Sequence, residues 1–216
     1  MRGNQMHFEI LVEDQSGKKV LDILIPKLIG LEHTFKVHSY KGIGRIPKNL
    51  GSNADASKRI LLAQLPQLLR GYGKTFAHYP EDYPAAVILI CDLDAKCLKA
   101  FRKELYAILN ACNPRPETLF CVAIEEGEAW FLGDIPALKK AYPKAKGVVL
   151  NTYVNDSIFP GGSVALSAKG WQAIGAEKSL WAEKITPHMD VNNNASPSFG
   201  YLRAKIIELA KNLGAR

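Results

Sequence analysis

Residues 85–91 read AAVILIC, seven apolar side chains in a row, and Asp-Leu-Asp follows at 92–94. A strand with one face in water alternates apolar and polar residues. A strand covered on both faces does not, and its usual setting is a parallel sheet between layers of helices. The run therefore predicts a buried strand over about residues 86–92 and an α/β architecture around it.

The surrounding sequence supplies the other layers. MHFEILVED alternates and suggests a first strand over about 6–13. In SGKKVLDILIPKLIG, Ser16 is a candidate helix cap. Val20, Leu21, Leu24 and Leu28 make a helical face, Pro26 bends it and Gly30 stops it. HTFKVHSY predicts a second strand over about 33–39, KGIGRIPKNLGS a loop, and DASKRILLAQLPQLLRG a helix kinked at Pro66. GYGKTFAHYPEDYP reads as another loop. After the buried strand, AKCLKAFRKELYAILNAC is amphipathic, with Leu98, Phe101, Leu105 and Ile108 on one side. TLFCVAIEE predicts a fourth strand over about 118–124, and GEAWFLGDIPALKKAY then begins helical. Strands alternating with helices predict a doubly wound, mostly parallel sheet of about four strands over residues 1–142.

Residues 143–216 are expected to form a mostly helical extension packed on that core, within one domain overall. AEKSLWAEKI reads as a short helix. In the last helix Ser196 is the expected cap and Pro197 the first helical residue. Its apolar stripe is Phe199, Leu202, Ile206, Leu209 and Leu213.

At 47% hydrophobic and 23% charged residues, the chain has the composition of a globular protein rather than a disordered one. Its net charge of +7 suits a polyanionic partner such as nucleic acid. Cys91, Cys97, Cys112 and Cys121 show no CxxC spacing, so they read as buried thiols in a reducing compartment, not as zinc ligands or a disulfide frame. No stretch reaches the roughly 18 apolar residues of a membrane span, and no leader pattern is evident, which predicts a cytoplasmic location.

The acids fall in a pattern. Three predicted strands end in carboxylates: Glu13 with Asp14, Asp92 with Asp94, and Glu125 with Glu126. Glu128 follows Glu125 by about one helical turn. In an open parallel sheet, ligands bind beyond the carboxyl ends of the strands. If the strands are parallel neighbours, these acids meet at one edge, where they repel one another or hold a cation. Oxygen ligands favour Mg²⁺ or Mn²⁺. The alternative for Asp94 is a plain N-cap on the helix after it.

Other chemistry finds less support. GYGKT lacks the P-loop spacing and follows no strand, and there is no GxSxG. His7, His33, His38, His78 and His188 are scattered and read as structural or exposed. Trp130, Trp171 and Trp181 read as core residues. KGIGRIPKN offers Lys41, Arg45, Lys48 and glycine amides as phosphate contacts, or simply as a solvated loop.

ILVEDQSGKKVLDILIPKL followed by CDLD resembles a Toprim domain, the metal-binding α/β module of topoisomerases, primases and overcoming-lysogenization-defect nucleases. AIEEGEAWFLGD and NASPSFGYLRAKI are similar to the Toprim-like domain-of-unknown-function 4276 family. The resemblance implies a Toprim-like fold and Mg²⁺- or Mn²⁺-dependent phosphodiester chemistry on nucleic acid. It also implies a microbial defence or DNA-processing setting, beside a partner ATPase. It maps the family's strand-end Glu onto Glu13 and its DxD onto Asp92 and Asp94. The family usually has Gly after that Glu, where this chain has Asp14, and often a second acid a few residues on, where this chain has Gly17 or Lys18.

The expected mechanism is then a metal-dependent nuclease. Asp92 and Asp94 hold the metal, Glu128 with Glu125 or Glu126 completes one site or forms a second, and Glu13 is a ligand or the general acid/base. Ser16 binds phosphate, and Lys18 or Lys19 offsets transition-state charge unless both are merely solvated. Two alternatives stand beside it. One is a non-catalytic module that binds nucleic acid or a partner ATPase. The other is a phosphatase using a DxD aspartate as nucleophile, although those enzymes typically carry the motif after their first strand.

Overall fold

The computed structural model describes residues 5–51, 54–93, 96–123, 129–144 and 175–213. The strands are β1 (His7–Val12), β2 (Thr34–Ser39), β3 (Ala85–Asp92) and β4 (Glu117–Ala123). The helices are α1 (Gln15–Ile29), α2 (Leu61–Phe76), α3 (Leu98–Asn110), α4 (Ala129–Leu132), α5 (Ile135–Ala141), α6 (Gly175–Ile185) and α7 (Pro197–Leu213), with 3-10 turns at Ala56–Lys58 and Thr186–His188.

The sheet is all parallel in the order β2-β1-β3-β4. The fold is the expected α/β layering. β3 shows why: its first seven residues are buried and only Asp92 emerges. Ala86, Ile88 and Ile90 face α1, α6 and α7, while Val87, Leu89 and Cys91 face α2 and α3. Each face thus has its own apolar cluster, which a two-sided strand requires.

Residues beyond 174 share the first cluster. Trp181, Ala182, Ile185, Phe199, Leu202 and Ile206 pack with Phe8 and Ile10. Lys19 forms an ion pair with Glu183, and Lys27 Nζ donates to the carbonyls of Pro187 (3.1 Å) and Met189 (3.3 Å), tying α1 to this extension. Pro197 opens α7, and Ser196 Oγ accepts from Phe199 N at 3.4 Å, as expected of its cap.

Four local expectations are corrected, the burial of Cys97 among them. GYGKTF is helical, not a loop, and closes α2. Gly73 is there for close approach, because a Cβ at this position would collide with the Pro114 carbonyl oxygen. The cap of α1 is Asp14, not Ser16. α3 begins at Leu98 with Cys97 at its N-cap position, so the capping role considered for Asp94 does not arise, and Asp94 itself lies outside the described residues. Cys97 is exposed, unlike the buried thiols of Cys91, Cys112 and Cys121. Trp130 and Trp181 are core residues, and Trp171 lies outside the described residues. Among the described residues no helix is long and apolar enough to cross a membrane.

One part of the α2 face is polar. Glu9 on β1 receives His38 Nε2 at 2.5 Å and His7 Nε2 at 3.3 Å, with the Tyr72 hydroxyl at 3.4 Å. Burial raises the carboxyl's pKa, but the hydrogen bonds and positive charge of the two imidazoles outweigh it, and the net result is about 2. A depressed carboxyl pKa stabilises the fold above the unfolded value and loses that contribution as pH falls toward the folded one. Wild-type stability is therefore expected to drop from about pH 4.5 toward 2, its ordinary and folded values. Glu9→Gln should be less stable by about 1–3 kcal/mol near pH 6 and should show a flatter decline through that window. Urea denaturation over a pH series checks both, and parallel pH profiles would reject the assignment.

Candidate functional site

In the order β2-β1-β3-β4 the chain winds outward in one direction from β1 and in the other from β3, so the order reverses between these two strands. A cleft opens beyond the carboxyl ends at such a point. Val12 pairs with Ile90 in the β1–β3 register, which sets Glu13 and Asp14 beside Cys91 and Asp92 as the strands run out. The cleft found there encloses about 560 Å³ of empty space, open solvent included. Its polar lining is Glu13, Asp14, Ser16, Asp92 and Lys178. Val20, Leu21, Ile90, Trp130, Phe131 and Ala182 make its apolar wall.

Asp14 ends β1 and starts α1. One carboxylate oxygen accepts from Gly17 N at 2.7 Å and the other from Ser16 Oγ at 2.8 Å. Both oxygens are therefore engaged in the cap. Gly17 lets the first turn lie against the strand, since a Cβ there would meet Val12 Cγ2 at 2.6 Å. Asp14 thus does capping work, and a side chain at position 17 would have to displace Val12.

Asp92 is the last residue of β3, paired with Ala123 of β4. Leu93 N still donates to the Ala123 carbonyl at 2.8 Å, so the β4 end lies directly alongside. Glu125, Glu126 and Glu128, like Asp94, lie outside the described residues. Of the acids expected to meet, Glu13, Asp14 and Asp92 are described, and all three line the cleft. Among the described residues no group of three or more His, Cys, Asp or Glu side chains is arranged to hold a metal ion.

The basic candidates separate. Lys18 pairs with Asp22 at 2.8 Å and does not line the cleft, and Lys19 is held by Glu183. Lys41, Arg45 and Lys48 are exposed on the loop after β2. That loop adjoins the acidic edge, because Gly42 N donates to the Glu13 carbonyl at 2.9 Å. Gly42 and Gly44 have φ of 109° and 65°, so the glycines serve the turn.

Lys178 is a cleft residue that the sequence pattern of strand-end acids does not reveal. It lies three and four residues before Trp181 and Ala182, on the inward side of α6, and enters the cleft lining. A lysine on the apolar stripe of a helix is the signal that finds it. The wall opposite is fastened by the two segments that carry the more specific resemblance. Trp130 Nε1 donates to Ser198 Oγ at 3.1 Å, Asn194 Nδ2 donates to the Trp130 carbonyl at 2.8 Å, and the Trp130 and Phe199 rings meet edge to face at 5.5 Å.

No family model matches the chain, and neither a curated protein nor a solved structure does. What the site can do rests on its chemistry: among the described residues, the carboxylates of Glu13, Asp14 and Asp92, the ammonium of Lys178 and an apolar wall. The cap is testable apart from any activity. Asp14→Ala should cost about 1 kcal/mol of stability, and Asp14→Asn only a few tenths, since Asn caps as well as Asp. Chemical denaturation of the two variants measures this, and an equal loss in both would remove the cap from the account.

Proposed function

We propose that the cleft is a metal-dependent phosphodiesterase site of the Toprim type, acting on nucleic acid. The observation that carries this reading is the presence of Glu13 and Asp92 in one cleft, at neighbouring strand ends where the strand order reverses. Mg²⁺ is commonly held by one or two carboxylates together with substrate phosphate, so this donor set suits Mg²⁺ or Mn²⁺. Asp94, Glu125 and Glu128 are the further ligands in this reading. Bound metal would supply Lewis-acid polarisation of the scissile phosphate and a more acidic water.

The chain's own residues then divide the work. Asp92 would hold the ion, and Glu13 would be the second ligand or the proton acceptor. Lys178 offsets negative charge on the phosphate from the side of α6, taking the part expected of Lys18. Ser16 is 8% exposed and donates to Asp14, so it supports the cap before it can meet a phosphate. A partner ATPase in a defence or DNA-processing system belongs to the same proposal.

A second reading is a non-catalytic module of this fold that binds nucleic acid or a partner ATPase. It is favoured by Gly17 and Lys18, which stand where Toprim domains often carry an additional acid. Cleavage of single-stranded, duplex and RNA substrates with Mn²⁺ or Mg²⁺ separates the two. Asp92→Ala should lose activity by on the order of a hundredfold or more while melting like the wild type. Lys178→Ala should lose it with metal affinity intact. If no substrate is cut with or without an ATPase partner, the second reading stands and the first does not.

A further inference from the structure

The positive charge of the chain is concentrated. Residues 33–80 contain eight lysines and arginines against one acid, Asp55, for a net of +7. The whole chain is also +7, so everything outside this segment is balanced. The segment folds as the edge strand β2, the loop over 41–60 and α2.

Seven of these cations are exposed; apart from Arg59, six stand along it: Lys36 on β2, Lys41, Arg45 and Lys48 in the loop, Lys58 on the 3-10 turn and Lys74 near the end of α2. Among the described residues none of these six reaches a carboxylate at ion-pair distance, whereas Lys18, Lys19 and Lys205 elsewhere each do. The other two cations hold the loop in shape. Arg59 donates to the Ser39 carbonyl, and Arg70 donates to the Leu50 carbonyl at 2.5 Å. The loop is thus held in part by arginine-to-backbone bonds, and Asp55, which caps its 3-10 turn, is its one acid.

An aromatic row runs from this stretch into the turn that follows it, where the acids Glu81 and Asp82 are exposed before Tyr83. Tyr72, Phe76, Tyr79 and Tyr83 follow one another at ring distances of 5.4, 5.5 and 5.8 Å, and all four are half-buried. Exposed cations beside aromatic rings are the elements that bind single strands, the cations tracking the phosphates and the rings stacking on unpaired bases. A duplex offers the phosphates but no open base faces. Glu9, the acid beneath this face, is held inward by His38 and His7.

We propose that the face formed by β2, the 41–60 loop and α2 is a docking surface for single-stranded nucleic acid. The loop leads the strand to the acidic cleft, since Gly42 bonds to the backbone of Glu13. Docking needs no metal. The inference rests on the phosphodiesterase reading only for the cleavage of a strand already bound.

The test uses the full chain and a fluorescent twenty-residue oligothymidine in EDTA, read by anisotropy from about 50 to 200 mM salt. For six phosphate contacts the logarithmic salt slope is expected near −4, at about −0.7 per contact. Arg45→Ala and Lys48→Ala should each remove about 0.7 from it. Tyr79→Ala should weaken binding about tenfold at fixed salt with the slope unchanged, and Tyr79→Trp should keep it, which guards against a folding defect in the alanine variant. Lys99→Ala and Lys103→Ala, each the same single-charge change on α3, should leave binding as it was. Equal affinity for a duplex of the same length or for heparin would overturn the proposal, as would an equal loss in either α3 variant. Because EDTA prevents metal-dependent cleavage, this result and the cleavage assay can fail independently.

Discussion

The parallel pairing of β1 with β3 is the constraint on which the rest depends. It places two apolar strands at the centre of the sheet, covered on both faces by helices. It also makes the chain wind one way from β1 and the other way from β3. The gap this leaves at the carboxyl edge cannot be closed by a crossover helix, because α1 departs from one strand and α3 from the other. A chain that buries AAVILIC therefore opens a cleft beside the residues next in the sequence, and those residues are acids.

How the acids are used depends on what each helix start demands. α1 begins two residues after Glu13, so an N-cap is needed at once, and Asp14 supplies it with both oxygens. Glu13 is left to the cleft. α3 begins later, at Leu98, with Cys97 in the cap position and no side-chain cap bond. Asp92, five residues before the cap position, lies at the strand end and not at that helix start. The same pair of facts weighs for and against catalysis. Asp92 lines the cleft, while Asp14 of the first motif is engaged in the cap.

Much of the framework was legible because strand-length apolar runs and helical stripes alternate cleanly. The four strands fall within a residue or two of their expected bounds. What escaped has physical causes. Two glycines in GYGKT signal a loop by conformational freedom, yet Gly73 is needed where α2 touches the Pro114 backbone, a contact between segments far apart in the chain. Lys178 escaped because strand-end acids mark one edge of the sheet, while this cation comes from a helix about fifty residues beyond the last strand. Asp94, Glu125 and Glu128 lie outside the described residues, so the acidic edge is established for β1 and β3 only.

Charge shows the same division between composition and placement. A net charge of +7 says only that a polyanion is welcome. Its confinement to one edge strand, one loop and one helix says where. An acidic cleft repels the phosphates it would have to cut, and a cation is needed in it before a strand can enter. In the proposed reading a separate basic face would remove part of that difficulty, holding a strand by its flanking phosphates while only one entered the cleft. The arginines that shape the loop make this arrangement durable: Arg59 and Arg70 fix its backbone through carbonyls, so the exposed cations keep their charge unpaired by any described acid. A loop braced by carboxylates would have been equally ordered and electrically neutral, and would offer such a strand nothing to hold.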